Sequence, residues 1–213
     1  IPLRQYERVA AIERQGSAFL VRSDTPAGSR ESLAKAVVVA IGFFGSPNLL
    51  KVAGEDLPHV SHTYKEGHEA FRQPVVVVGG GNSAAEAALD LWRAGAQVTL
   101  VHFGPTFDKK IKPWVLPDFT NRLAEGSINA LWNSRVTAIG AEDITLCATD
   151  GTASTIPADH VFLMTGFAPN VDLLRDVGVT IDPVTGIPAH DPATLETDVP
   201  GIFIAGVVVA GFD

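Results

Sequence analysis

Apolar residues fall in short alternating groups at the start of the chain and in unbroken runs further on. Val9 to Ile12 and Ala18 to Arg22 are rich in strand formers and separated by Arg14, Gln15 and Gly16, a pattern that predicts a hairpin. Asp24 to Arg30, with Pro26 and Gly28, reads as a loop. Ala36 to Ile41 is continuously apolar and closed by Gly42, as expected of a strand buried on both faces. Phe43 to Gln73 carries Pro, Gly, His and acidic residues without sustained periodicity and reads as a connecting segment. Val75 to Val78 predicts a second buried strand, with Pro74 just before it, where a missing N–H costs least. Asn82 to Ala94 predicts a helix: Ala84, Ala88, Leu91 and Trp92 fall near one face, and Gly95 is placed as the stop. Val98 to His102 is the next strand, and Pro105 to Leu123 has loop, then helix character. Ile128 to Ile139, Ile144 to Ala148 and His160 to Met164, broken by Asp150-Gly151 and Pro157, form a small meander returning to the sheet. Ala168 to Leu195, with prolines at 169, 183, 188 and 192, reads as loop, and Gly201 to Val209 as one more buried strand.

Composition narrows the function classes. With 46% hydrophobic and 19% charged residues over 213 positions, the chain can bury a core and form one or two domains. A formal charge of -8 and the lack of any basic run exclude nucleic acid as a partner. The longest apolar runs fall far short of the roughly 20 residues that cross a bilayer, so no membrane segment is expected. The single cysteine, Cys147, excludes an intramolecular disulfide and a CxxC pair; in an alternating strand with no basic neighbour it reads as structural. His59, His62 and His68 lack helical pairing and a thiolate, so they read as loop histidines and no metal site is expected. The start at Ile1 and the apolar stretch ending at Asp213 read as a piece of a longer protein.

The chemistry is concentrated in Gly79-Gly80-Gly81-Asn82-Ser83-Ala84, which fits G-x-G-x-x-A. Gly79 suits a tight turn, Gly81 lets the backbone approach a pyrophosphate, and Ala84 keeps helix and strand close. The helix start offers N–H groups and a partial positive charge to phosphate. Following a strand, opening a helix and leading to a second strand, the motif reads as a dinucleotide-binding βαβ unit. An acidic residue that would hold the ribose of NAD is expected at the end of the second strand, where His102, Phe103 and Gly104 stand instead. This favours NADPH. Lys109, Lys110 and Lys112 fit either the extra phosphate of NADP or plain solvent. Two runs, ending Ala40-Ile41-Gly42 and Met164-Thr165-Gly166, finish in a small residue and Gly, so a cofactor could approach the backbone there or the glycines could simply close core strands.

The order of these runs resembles the flavoprotein disulfide reductases of the thioredoxin reductase type. AVVVAIG and HVFLMTG stand where strands of those proteins flank and enter the inserted nucleotide domain, and ETDVPGIFIAG resembles the return. AIGFFGSPNLLKVAGEDLPHVSHTYKEGHEAF, VVVVGGGNSAAEAALDLWRAGAQVTLVH and IKPWVLPDFTNRLAEGSI are most similar to the bacillithiol disulfide reductase family, over nearly the whole chain. The resemblance implies an α/β fold in which a Rossmann-like NAD(P)-binding domain, residues 73–192, is inserted into an incomplete FAD-binding domain, residues 1–72 and 193–213. It implies the cofactors NADPH and FAD, a small-molecule disulfide substrate, a cytoplasmic setting and a homo-oligomer in the full-length protein. Under it Gly79 to Ala84 hold the pyrophosphate, His102 and Lys109 lie near the adenosine ribose, Thr165 and Gly166 near the nicotinamide, and Gly42 and Gly206 at the flavin. Glu86, placed in the first helical turn, lines the nicotinamide side or is a carboxylate favoured by the helix dipole. No residue is assigned as a catalytic acid, base or nucleophile. Two departures stand out: Phe103-Gly104 replaces a basic pair common in the NADPH site, and Gly206-Val207 replaces a Gly-Asp that holds the ribityl chain. The lack of CxxC excludes thioredoxin reductase proper. A flavin-dependent monooxygenase, or a nucleotide-binding fragment inactive on its own, are the alternative readings.

Overall fold

The computed structural model describes residues 2–108 and 111–211. They form two compact units, one made of the described residues up to Pro47 together with those from Phe167 onward, the other of those from Asn48 to Gly166.

In the first unit β1 (Arg8–Gln15), β2 (Ala18–Thr25) and β3 (Gly28–Ala34) form an antiparallel meander. The predicted hairpin is present and longer than expected. The expected loop at Asp24 to Arg30 is instead a tight turn between two strands, with Thr25 opposite Gly28. Its second strand escapes a hydrophobicity pattern because its ordering contacts include polar pairs such as Arg22 Nε to Glu31 Oε1 at 3.0 Å. β4 (Val37–Val39) pairs in parallel with β15 (Ile202–Ile204). Between them in sequence, β5 (Ser46–Pro47) pairs with β14 (Phe167–Ala168), and a short helix, α3 (Asp172–Asp176), interrupts the expected loop. That helix exists because Val171 and Leu174 join Ile12, Phe19, Val39, Ile202, Ile204 and Val208 in one buried cluster. The expected strand Gly201 to Val209 ends early: Gly206, at φ +78°, opens a 3-10 turn over Gly206–Ala210.

The second unit holds β6 (Val60–Ser61), β7 (Pro74–Val78), α1 (Asn82–Arg93), β8 (Gln97–Val101), α2 (Leu116–Ala124) and β9 (Asn129–Leu131). After them come β10 (Ser134–Ile139), β11 (Asp143–Ala148), β12 (Ala153–Pro157) and β13 (His160–Leu163). Among the described residues the parallel sheet runs β6-β13-β7-β8-β9, while β10, β11 and β12 form a separate antiparallel meander. Both faces of β7 are covered. Val75 and Val77 pack with alanines and leucines of α1 and with Phe119; Val76 and Val78 pack with Val136, Ile144 and Leu146 of the meander. This is why the strand is an unbroken valine run rather than an alternating one. Gly95, at φ +90°, follows the helix, as its expected role as a stop requires.

These units divide the chain at 47/48 and 166/167, whereas the expected domain boundaries stand at 72/73 and 192/193. The segment before Pro74 goes with the second unit because β6 pairs with β13 and Leu50, Val52 and Leu57 pack beneath the sheet. Residues after Gly166 go with the first unit because Val171, Leu174 and Val179 fill its core.

Candidate functional site

The chain runs from β7 through α1 to β8 on one side, then returns through the meander to β13 on the other side of β7. That reversal opens a crevice at the carboxyl ends of neighbouring parallel strands, the place where open α/β sheets bind ligands. A cleft of about 520 Å³ occupies it. Its walls include Gly79, Gly80, Gly81, Asn82 and Ser83 from the turn into α1, His102 and Phe103 after β8, and Met164, Thr165 and Gly166 after β13.

Each glycine of the turn has a different steric reason. Gly79 sits at φ +147°, and a Cβ there would lie 2.4 Å from the Met164 carbonyl oxygen. At Gly80 a Cβ would meet the His102 ring at 2.2 Å, so the imidazole is packed directly behind the turn. A Cβ at Gly81 would have, among the described residues, only Asp108 Oδ2 near it, at 3.7 Å, which leaves its backbone open to the cleft. Gly81 also caps α1 without a side-chain hydrogen bond, so the helix start is not closed off by its own cap. An open glycine at an uncapped helix start fits a pyrophosphate.

His102 is 3% exposed, and among the described residues its Nδ1 has no hydrogen-bond partner. Burial pushes the imidazole below the usual histidine value, the nearby Asp108 carboxylate opposes this, and Arg135 adds to it. A neutral ring beneath the turn follows. Two backbone bonds lace the meander to this corner: Ser134 N–H donates to the His102 carbonyl at 3.0 Å, and Asn133 N–H to the Gly104 carbonyl at 2.9 Å. On the β13 side, Thr165 Oγ1 donates to the Asn48 carbonyl at 2.7 Å and Asn48 N–H to the Gly166 carbonyl at 3.0 Å.

Of the residues singled out in the sequence, Gly79 to Ser83, His102, Thr165 and Gly166 come together around the cleft. Ala84 is fully buried behind the turn, consistent with close helix packing. Glu86 does not line the cleft; it lies beyond the first turn of α1 and pairs with Lys112 Nζ at 2.7 Å. That contact also engages Lys112, whose backbone N–H donates to Asn82 Oδ1 at 2.7 Å. Lys109 and Lys110 lie outside the described residues. Gly42 and Gly206 belong to the other unit, where they follow the paired strands β4 and β15 at φ +70° and +78°, and among the described residues no atom lies within 4 Å of a Cβ built at either. Open backbone at two adjacent strand ends fits a flat cofactor, although Val207 offers no acid to it.

Asp108 and Arg135 also line the cleft and were not signalled by the motif. Asp108 returns to the turn because its N–H donates to the Gly80 carbonyl at 3.0 Å. Arg135 arrives from the meander, and no fixed spacing from the glycines announces it.

The profile of the pyridine nucleotide-disulphide oxidoreductases matches residues 1–206. The chain belongs to this family. Bacilliredoxin reductase of Bacillus subtilis is 42% identical over 174 residues, 82% of this chain and 54% of that protein. The solved bacillithiol disulfide reductase of Bacillus cereus superposes with a TM-score of 0.94 at 41% identity, covering 98% of this chain and 64% of that one. The corresponding enzyme of Staphylococcus aureus gives a TM-score of 0.92 at 35% identity over 99% of this chain and 64% of that one. The chain thus spans between about half and two thirds of the length of these relatives. The α/β arrangement expected from the sequence is the one these flavoprotein relatives share.

Proposed function

We propose that this chain is the nucleotide-handling part of a reductase that passes electrons from NADPH through FAD to a low-molecular-weight disulfide. The observation that carries the reading is the superposition on the Bacillus cereus bacillithiol disulfide reductase across both units, with the glycine turn set at the sheet's reversal point. In this reading Gly79, Gly80, Gly81 and Ser83, with the start of α1, hold the pyrophosphate. Asn82 orders the loop at Lys112 beside it. Thr165 and Gly166, pinned by Asn48, shape the nicotinamide half. Gly42 and Gly206 give the flavin close access to the backbone. Bound FAD would supply a two-electron relay between reduced nicotinamide and a disulfide. The overall balance is NADPH, a proton and one disulfide giving NADP⁺ and two thiols, so the protein's task is to orient the partners and exclude water. The reading includes a cytoplasmic setting and self-association of the full-length protein.

A chimera in which this chain replaces the matched part of the Bacillus cereus reductase tests it. The folded, flavin-loaded chimera is expected to oxidise NADPH when bacillithiol disulfide is added. A folded, yellow chimera that binds NADPH yet leaves every low-molecular-weight disulfide intact would overturn the reading.

A further inference from the structure

The geometry points to Arg135, stacked on Phe103, as the group that recognises the phosphomonoester on the adenosine ribose and thereby selects NADPH over NADH. This rests on the reading of the cleft as a pyridine nucleotide site. In a βαβ nucleotide unit the end of the second strand faces the ribose, and a carboxylate there reads free hydroxyls whereas a nearby arginine accommodates a phosphate. Here the strand is β8, and the residue after His102 is Phe103, 58% exposed at the cleft. The Arg135 guanidinium lies over that ring, 4.7 Å from its centroid.

Three observations make this a prepared cation rather than a solvated one. The backbone bonds from Asn133 and Ser134 to Gly104 and His102 fix the start of β10 against the end of β8, so Arg135 is carried to the corner by rigid structure. Among the described residues Arg135 forms no ion pair, although acidic residues outnumber basic ones 24 to 16 in this chain. Stacking on an aromatic face orients a guanidinium while leaving its in-plane N–H groups available for a phosphate. Lys112 does not compete for this role, being paired with Glu86. Asp108 is the competing influence: it lines the same cleft and its carboxylate would favour the unphosphorylated ribose.

The test is a titration of the chain with NADPH, NADH and 2′,5′-ADP, followed by intrinsic fluorescence, since Trp132 stands edge-on to His102 at 6.1 Å. Wild type is expected to bind NADPH and 2′,5′-ADP more tightly than NADH. Arg135→Gln is expected to weaken both phosphorylated ligands by about 10- to 100-fold, the range of a lost charge-assisted hydrogen bond, and to leave NADH unchanged. Arg135→Lys, which keeps the charge and loses the planar fork, should fall between. Equal loss for NADPH and NADH in both variants, or an unchanged preference, would overturn the assignment. So would a wild-type preference for NADH that Asp108→Asn abolishes, which assigns the ribose end to Asp108. Wild-type protein that binds no pyridine nucleotide at all overturns the site reading itself along with this inference.

Discussion

Two valine runs of nearly the same composition are treated in opposite ways by the fold. In the second unit Val75 to Val78 form β7, paired with β13 on one side and β8 on the other and covered on both faces. In the first unit Val37 to Val39 form β4, paired among the described residues with β15 alone, and Val38 is 62% exposed. Both runs predict a strand buried on both faces, and only one is. Local hydrophobicity reports the capacity to be buried; the number of neighbours decides whether that capacity is used.

The widest gap between the two strands is expected from a charge placed at their centres. Val77 has no exposed surface, so Val77→Asp leaves an unpaired carboxylate in a dry core and is expected to cost about 4 kcal/mol or more, or to prevent folding. Val38→Asp is expected to stay within about 0.5 kcal/mol, as at other surface positions. Urea unfolding midpoints of the two variants measure the difference. A loss at Val38 matching that at Val77 would show that β4 is covered in solution, by another copy or another chain.

The turns that follow these strands carry the comparison to smaller energies. Gly79 and Gly42 both adopt positive φ, but a Cβ at Gly79 would strike the Met164 carbonyl while one at Gly42 would meet open space. Gly79→Ala combines steric overlap with backbone strain and is expected to cost about 2–4 kcal/mol and to abolish nucleotide binding. Gly42→Ala carries the backbone penalty alone, about 1 kcal/mol. Melting temperatures with and without NADPH separate the two effects, and a Gly79→Ala protein that still binds NADPH with wild-type affinity removes the turn from the site.

The parts of this fold legible in the sequence are those where one segment supplies its own signal. The strand, glycine turn and helix of β7 and α1 lie within about twenty residues of one another, and the periodicity changes inside that window as a βαβ unit demands. What the sequence hides are contacts made at long range. β3 carries charged pairs instead of alternation, and α3 is held by a core assembled from residues far apart in sequence. Within the site, the same division holds. Gly79 to Ser83 could be found because spacing encodes their role, whereas Asp108 returns through a single backbone bond to Gly80 and Arg135 comes from a sheet absent from the motif. Glu86 matched a pattern position, yet its nearest partner, Lys112, lies in a loop that the pattern does not describe.

The subtlest difference between the two turns is what stands behind them. Among the described residues nothing lies within 4 Å of a Cβ at Gly42, whereas Gly80 rests on a buried histidine. Burial holds His102 below its ordinary value of 6.5 in the folded protein, so between that value and the folded one the unfolded chain binds the extra proton. Stability from this group is therefore complete above about pH 6.5 and is lost progressively as the pH falls toward the folded value, at no more than about 1.4 kcal/mol per pH unit. His102→Gln, which does not titrate in this range, is expected to flatten that part of the stability profile measured by urea unfolding between about pH 7.5 and 5.5. A wild-type profile that is as flat as that of His102→Gln would show that the imidazole reaches solvent, and that the glycine turn of the second unit is backed no more firmly than that of the first.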